Sequence, residues 1–287
     1  MGGMQGNCME CMEEGRQSAA EGVVGEETGM ATSGVEDVRF HGRRKSRPLK
    51  PRQQRLMREL LPRLRVVLPE AGQAVEDACE DAWPPVAGAL LDPAGLFAHA
   101  PRQVGLEIGF GGGEHLVHRA ARHPEWGFIG CEPFVNGVAK LLGQIEEQQL
   151  ANIRIWDDDA RVLLPRLRSE SIDAVWLLYP DPWPKKRHQK RRFVNQRNLV
   201  QVHRILKPGG MFFFASDIAD YVRWTLRHVL AHGGFEWMAE QADDWRSPPS
   251  DWPGTRYEAK ALREGRKPAY LLFRKVGESG ADNLLAT

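Results

Sequence analysis

VGLEIGFGGGEH, residues 104–115, runs from an apolar segment into a turn with four glycines among five residues, and then into helix-forming sequence. Residues 104–110 have the composition of a buried strand, and residues 114–123 read as a helix. Glycine pays no Cβ penalty in left-handed backbone, so the turn at 109–113 can fold back tightly and bring main chain close to a ligand. Strand, glycine turn and helix in this order form the opening unit of a doubly wound α/β fold.

The alternation continues outward from this unit. Further strands are expected at 127–132, 153–156, 172–179, 211–215, 235–238 and 269–276, and helices at 134–150, 160–167, 195–206 and 221–232. The helix at 195–206 places Leu199, Val202 and Leu206 on one face and stops at the Lys-Pro-Gly-Gly run, residues 207–210. Strands alternating with helices require right-handed crossovers, which gives a mostly parallel seven-stranded sheet covered on both faces. Residues 240–267, with three prolines and two tryptophans, read as a long irregular loop of the kind that carries function.

The domain so defined spans residues 101–277. Ahead of it, residues 68–100 form a Pro- and Ala-rich connection with one helix around 72–82, and residues 41–67 a basic arm with ten Lys/Arg. That arm either grips a polyanion or packs back on the domain through Leu56, Leu60 and Leu64. Residues 1–40 are acidic and lack a hydrophobic period, so disorder is expected; residues 278–287 form a C-terminal tail.

With 42% apolar and 27% charged residues the composition is that of a soluble chain, expected in the cytoplasm, and no apolar run reaches the ~20 residues of a membrane span. Four cysteines are too few for a disulfide framework. Cys8 and Cys11 form an isolated CxxC without a second pair, so no metal site is expected, and Cys131 reads as core. The net charge of +1 conceals a run of six Lys/Arg in residues 185–192. Such a run is either a solvated face or a phosphate contact.

Two ligand classes compete for the glycine turn. A dinucleotide fingerprint needs a third small residue, yet counting from Gly109 that position is Glu114 and counting from Gly111 it is Leu116. A carboxylate there would meet the pyrophosphate, which counts against NAD. The pattern Glu107-x-Gly109-x-Gly111-x-Gly113, with Glu132 closing the second strand and Asp159 following the third, instead resembles the class I fold that binds S-adenosylmethionine. The resemblance implies a last strand antiparallel to the rest. It also implies that Glu107, Gly109 and Gly111 hold the methionine end, Glu132 the ribose and Asp159 the adenine.

Tyr179-Pro-Asp-Pro-Trp183 closes the fourth strand, where this fold holds the atom to be methylated, and the basic run follows at once. PDPW followed by KKRHQKRR, Ala215-Ser216-Asp217 after the fifth strand and Thr255-Arg256-Tyr257-Glu258 in the late loop resemble the ordered motifs of the tRNA (guanine-N7-)-methyltransferase family. Pro184 stands where many members have His or Trp. The family implies methylation of guanine 46 in the tRNA variable loop. It places Asp181 at the reacting centre beside the cofactor, and Lys185, Asp217, Thr255, Arg256, Tyr257 and Glu258 on the target nucleotide. Arg187, Lys190, Arg191 and Arg192 would then bind tRNA phosphates. Asp217 and Glu258 are expected to accept from guanine N1 and N2, and Trp183 either stacks on the base or supports the turn. A monomer is expected. The rival readings are a methyltransferase for another RNA site or for protein glutamine, and a catalytically silent RNA-binding subunit.

Overall fold

The computed structural model describes residues 40–69 and 89–277. The acidic tail up to residue 39, the Cys8–Cys11 pair, the helix expected near 72–82 and the C-terminal tail 278–287 lie outside the described residues.

Seven strands form one sheet: β1 Gln103–Ile108, β2 Trp126–Cys131, β3 Ile153–Trp156, β4 Ile172–Leu178, β5 Leu206–Ser216, β6 Phe235–Trp237 and β7 Ala269–Lys275. Their order is β3-β2-β1-β4-β5-β7-β6, parallel except for β7, which runs against both neighbours. The chain turns outward in both directions from β1 and β4, and their adjacent carboxyl ends open the crevice where ligands of doubly wound sheets bind.

Both faces are covered, because successive strand residues point to opposite sides. Leu106, Ile129, Val175, Phe212 and Phe273 pack on one side against α5 (Ala160–Leu163), α6 (Gln196–Ile205) and α7 (Ala219–His232). Phe128, Ile155, Ala174 and Trp176 pack on the other against α3 (Glu114–Arg122) and α4 (Val135–Gln148). Cys131 is a buried free cysteine in the first of these layers.

The fifth strand begins earlier than expected. Helix α6 ends at Ile205 and β5 starts directly at Leu206, carrying Lys-Pro-Gly-Gly inside it. This stretch lies beyond the reach of β7, whose pairing starts at Met211, and opposite a register shift between Ile172 and Ala174. The missing proline N–H therefore leaves no gap in a two-sided ladder.

The basic arm packs back on the domain. Helices α1 (Pro51–Glu59) and α2 (Leu61–Leu64) bury Leu56 and Leu61, each 1% exposed, against the α3–α4 layer, with Leu64 buried beside them and Leu60 only partly covered. Arg52 and Arg55 pair with Glu146 of α4, and Arg44 and Arg65 with Asp158 and Asp157 after β3. Each exposed pair contributes at most ~1 kcal/mol. Burying each leucine contributes ~1.5–3 kcal/mol, so apolar contact does most of the anchoring.

Candidate active site

The glycine turn is tied down at both ends. Gly109, Gly111 and Gly113 adopt φ of 74°, 58° and 82°, the left-handed region that glycine enters without strain. The Gly109 amide donates to the Cys131 carbonyl (2.8 Å), and Gln144 of α4 donates to the Gly112 carbonyl (2.7 Å). Gly137 in the first turn of α4 touches the same loop, since a Cβ there would stand 2.1 Å from the Gly111 carbonyl oxygen. Around the Cβ position of Gly109 there is open space, which leaves main chain bare toward the ligand side.

Beside this loop lies a cleft of about 490 Å³ bordered by Gly109, Gly111, Glu132, Asp159 and Asp181. Glu132 is buried, and its two oxygens accept from the Gly111 amide (2.7 Å) and the Phe134 amide (3.0 Å). Burial pushes its pKa up to about 7 against the pull of those two amides, and the negative charge of Asp181 adds to the rise. Asp159 caps α5 and holds the Arg161 guanidinium. Glu107 is set behind the cleft wall, buried at 3% exposure, with His115 Nδ1 2.7 Å from its carboxylate.

Asp181 sits at the cleft mouth on a constrained turn. Tyr179 (φ 50°) and Trp183 (φ 43°) are non-glycine residues in the left-handed region, and each precedes a proline, a combination that costs of order 1–3 kcal/mol per residue. The Tyr179 amide is pinned to the Ala215 carbonyl of β5 (2.7 Å). Among the described residues the Asp181 side chain has no hydrogen-bond or ion-pair partner, and protein crowding around it raises its pKa. Trp183 borders the cleft and is braced there: the Arg191 guanidinium lies over its ring at 5.0 Å, and His188 and His41 meet it in edge contacts.

The basic run forms a short 3₁₀ segment, Lys186–Arg191. Lys185, Arg187 and Lys190 are exposed, and Lys190 and Arg191 border the cleft. Arg192, expected on a phosphate, is turned inward. Its side chain is fully buried, donates to the Pro182 carbonyl and to Asp220, and lies over the rings of Tyr221 and Trp224.

The late segment is not an irregular loop throughout. Helices α8 (Asp243–Arg246) and α9 (Arg256–Arg263) occupy it, and Thr255 and Glu258 form a reciprocal capping box at the start of α9. Glu258 is buried and also accepts from Trp252 Nε1 (2.6 Å) and the Tyr270 hydroxyl, while Asp217 is paired with Arg266 (2.5 Å). Neither carboxylate faces the cleft, so the expected acceptor pair for guanine is not assembled in this arrangement; both acids fix α9 instead. Asp251, held by His118, Arg119 and Arg122 of α3, anchors the approach to it. The result is that Arg256 and Tyr257 stand over the glycine turn, with Tyr257 3.3 Å from where a Gly111 Cβ would be.

Phe40, His41, Gly42 and Arg43 border the same cleft, which no pattern in the sequence signals. They are carried there by the arm, whose Arg44 carbonyl accepts from the Val135 amide (2.9 Å) and whose Ser46 amide and Arg47 carbonyl bond to Asn136.

Sheet order, glycine turn and acids at successive strand ends together define a class I methyltransferase, whose cofactor is S-adenosylmethionine; the bare Gly109 main chain and the buried Glu132 carboxylate suit its amino-acid and ribose groups. Residues 101–271 match a family model described as "Putative methyltransferase". The chain is 56% identical over 234 residues to a tRNA (guanine-N(7)-)-methyltransferase of Agrobacterium fabrum, covering 82% of this chain and 94% of the relative. A protein of the same name from Rhizobium meliloti is 54% identical, covering 83% and 95%. The chain belongs to the tRNA (guanine-N(7)-)-methyltransferase family.

Proposed function

We propose that this chain methylates N7 of guanine 46 in the variable loop of tRNA. The observation that carries the reading is Asp181, a carboxylate without a partner among the described residues, at the mouth of the cofactor cleft and on the same turn as the basic run. Bound S-adenosylmethionine supplies an electrophilic methyl on a cationic sulfur. Guanine N7 already has an in-plane lone pair, so no general base is needed. The chain's task is to align the nucleotide and to stabilise the positive charge that the purine gains. Asp181 faces that charge.

Glu132 serves the ribose and Asp159 the adenine, while Gly109 and Gly111, backed by Glu107, serve the methionine end. Thr255 and Glu258 hold the start of α9, and Asp217 holds Arg266 beyond its end, so that Arg256 and Tyr257 close over the entering nucleotide. Lys185 reaches the target nucleotide, and Arg187, Lys190 and Arg191 take tRNA phosphates. We further propose a cytoplasmic monomer; among the described residues no helix is long and apolar enough to cross a membrane.

The test is to incubate the protein with labelled S-adenosylmethionine and unmodified tRNA and map the methylated nucleotide. Label on N7 of guanine 46 is expected. Label elsewhere would favour another RNA site, and failure to bind S-adenosylmethionine in calorimetry would favour a silent RNA-binding subunit.

A further inference from the structure

The basic run does not end at its own turn. No Asp or Glu occurs in residues 182–216, and the run's last arginine, Arg192, pairs with Asp220 at the start of α7. Arg192 joins the two elements from beneath, bonding both the Pro182 carbonyl (2.8 Å) and the Asp220 carboxylate (2.5 Å) while packed against Tyr221 and Trp224. Gln189 reaches Asp220 from the turn as well (3.4 Å), and Trp224 Nε1 donates to the Val194 carbonyl (2.6 Å). Turn and helix are thereby joined, and the Asp220 carboxylate at their junction is paired with a buried cation.

On the outward side of α7, Arg223 and Arg227 are exposed and have no ion-pair partner among the described residues. They are four residues apart, hence on one helix face and about 6 Å apart along its axis. Both follow Asp220 in α7, by three and seven residues, so they share its helix face, and Asp220 itself contacts Gln189 and Arg192 of the turn; after the larger effect of Arg192, their charge also helps hold the Asp220 carboxyl below the usual range. Arg227 also lies over the Trp224 ring at 5.4 Å, which limits its wandering.

We propose that Arg223 and Arg227 extend the Lys185–Arg191 turn into a continuous surface for the RNA sugar-phosphate backbone, leading away from the cleft along α7. The inference rests on the tRNA reading above. The surface reads charge and shape and carries no base specificity, so it supports tRNA of any sequence equally.

The test is tRNA affinity by fluorescence anisotropy between 50 and 200 mM salt for wild type, Arg223→Gln, and Arg223→Gln with Arg227→Gln. The slope of log K against log salt should fall by about 0.7–0.9 for each contact removed. Arg102→Gln, at the opposite end of β1 from the cleft, serves as control and should keep the wild-type slope. Unchanged slopes in both α7 variants, or an equal loss in Arg102→Gln, would overturn the surface while wild-type methylation of tRNA continued. A wild-type protein that left tRNA unmethylated would overturn the underlying reading, and this inference with it.

Discussion

The protonation of Glu132 should govern cofactor affinity near neutral pH. Its carboxyl is buried with a pKa pushed up to about 7, and its oxygens accept from the Gly111 and Phe134 amides. On the proposed assignment of Glu132 to the ribose, whose hydroxyls are donors, the carboxylate form is the one that binds, and the sulfonium charge favours it further. With a pKa near 7, roughly one tenth of the protein carries the carboxylate at pH 6 and roughly nine tenths at pH 8. S-adenosylmethionine affinity should therefore rise about tenfold over that interval, about 1.4 kcal/mol, with release of a proton on binding below pH 7. Calorimetry in two buffers of different ionisation enthalpy measures both quantities. The ligand's own amino group also titrates in this range, so the comparison is with Glu132→Gln. That variant should bind more weakly, because the carboxamide can accept from only one of the two amides, and should lose the side chain's share of the pH dependence. Identical pH slopes and proton release in the two proteins would refute the argument. The same shift has the opposite sign for folding. A folded-state pKa raised from 4.5 means the native protein holds the proton longer, so this group's contribution to stability falls as pH rises from 4.5 to 7.

Asp181→Asn should reduce methyl transfer by about 10²–10³ while tRNA affinity is retained, measured by single-turnover kinetics and anisotropy; full turnover would remove Asp181 from the chemistry. Gly137→Ala should drive a Cβ into the Gly111 carbonyl, costing about 1–3 kcal/mol in urea unfolding and weakening cofactor binding, and an unaltered midpoint would show that the loop yields freely. Glu258→Gln should set an NH₂ group against one of the donors Trp252, Thr255 or Tyr270, with a loss of about 1–3 kcal/mol in thermal unfolding and a raised KM for tRNA. A wild-type melting temperature would mean the network contributes little.

The parallel sheet was legible because its strands are unbroken apolar runs between glycine turns and amphipathic helices, and the antiparallel β7 followed from the family resemblance. Lys-Pro-Gly-Gly read as punctuation since proline and glycine usually are, yet β5 tolerates it where it outruns β7. Residues 255–258 hid a helix start among the prolines at 248, 249 and 253, although Thr followed three positions later by Glu is a readable capping box. Charge counting could not distinguish Arg192 from its five neighbours. What turns it inward is Tyr221 and Trp224, about thirty residues away in sequence and adjacent only after α7 docks. The approach of Phe40 to Arg43 to the cleft is likewise a product of tertiary docking, fixed by Asn136 and the acids that follow β3.

The left-handed backbone at Tyr179 and Trp183 bears on how this enzyme could adapt to heat. Glycine at either position would relieve about 1–3 kcal/mol of backbone cost, set against the loss of the Tyr179 packing or of the Trp183 ring contacts. It would also set free the carboxylate between them, which is held in place by that same backbone. Backbone relaxation and turnover therefore make different demands on the same five residues. Heat-adapted variants that keep their activity should take their stability from helix caps and from the arm's leucines, leaving 179–183 strained.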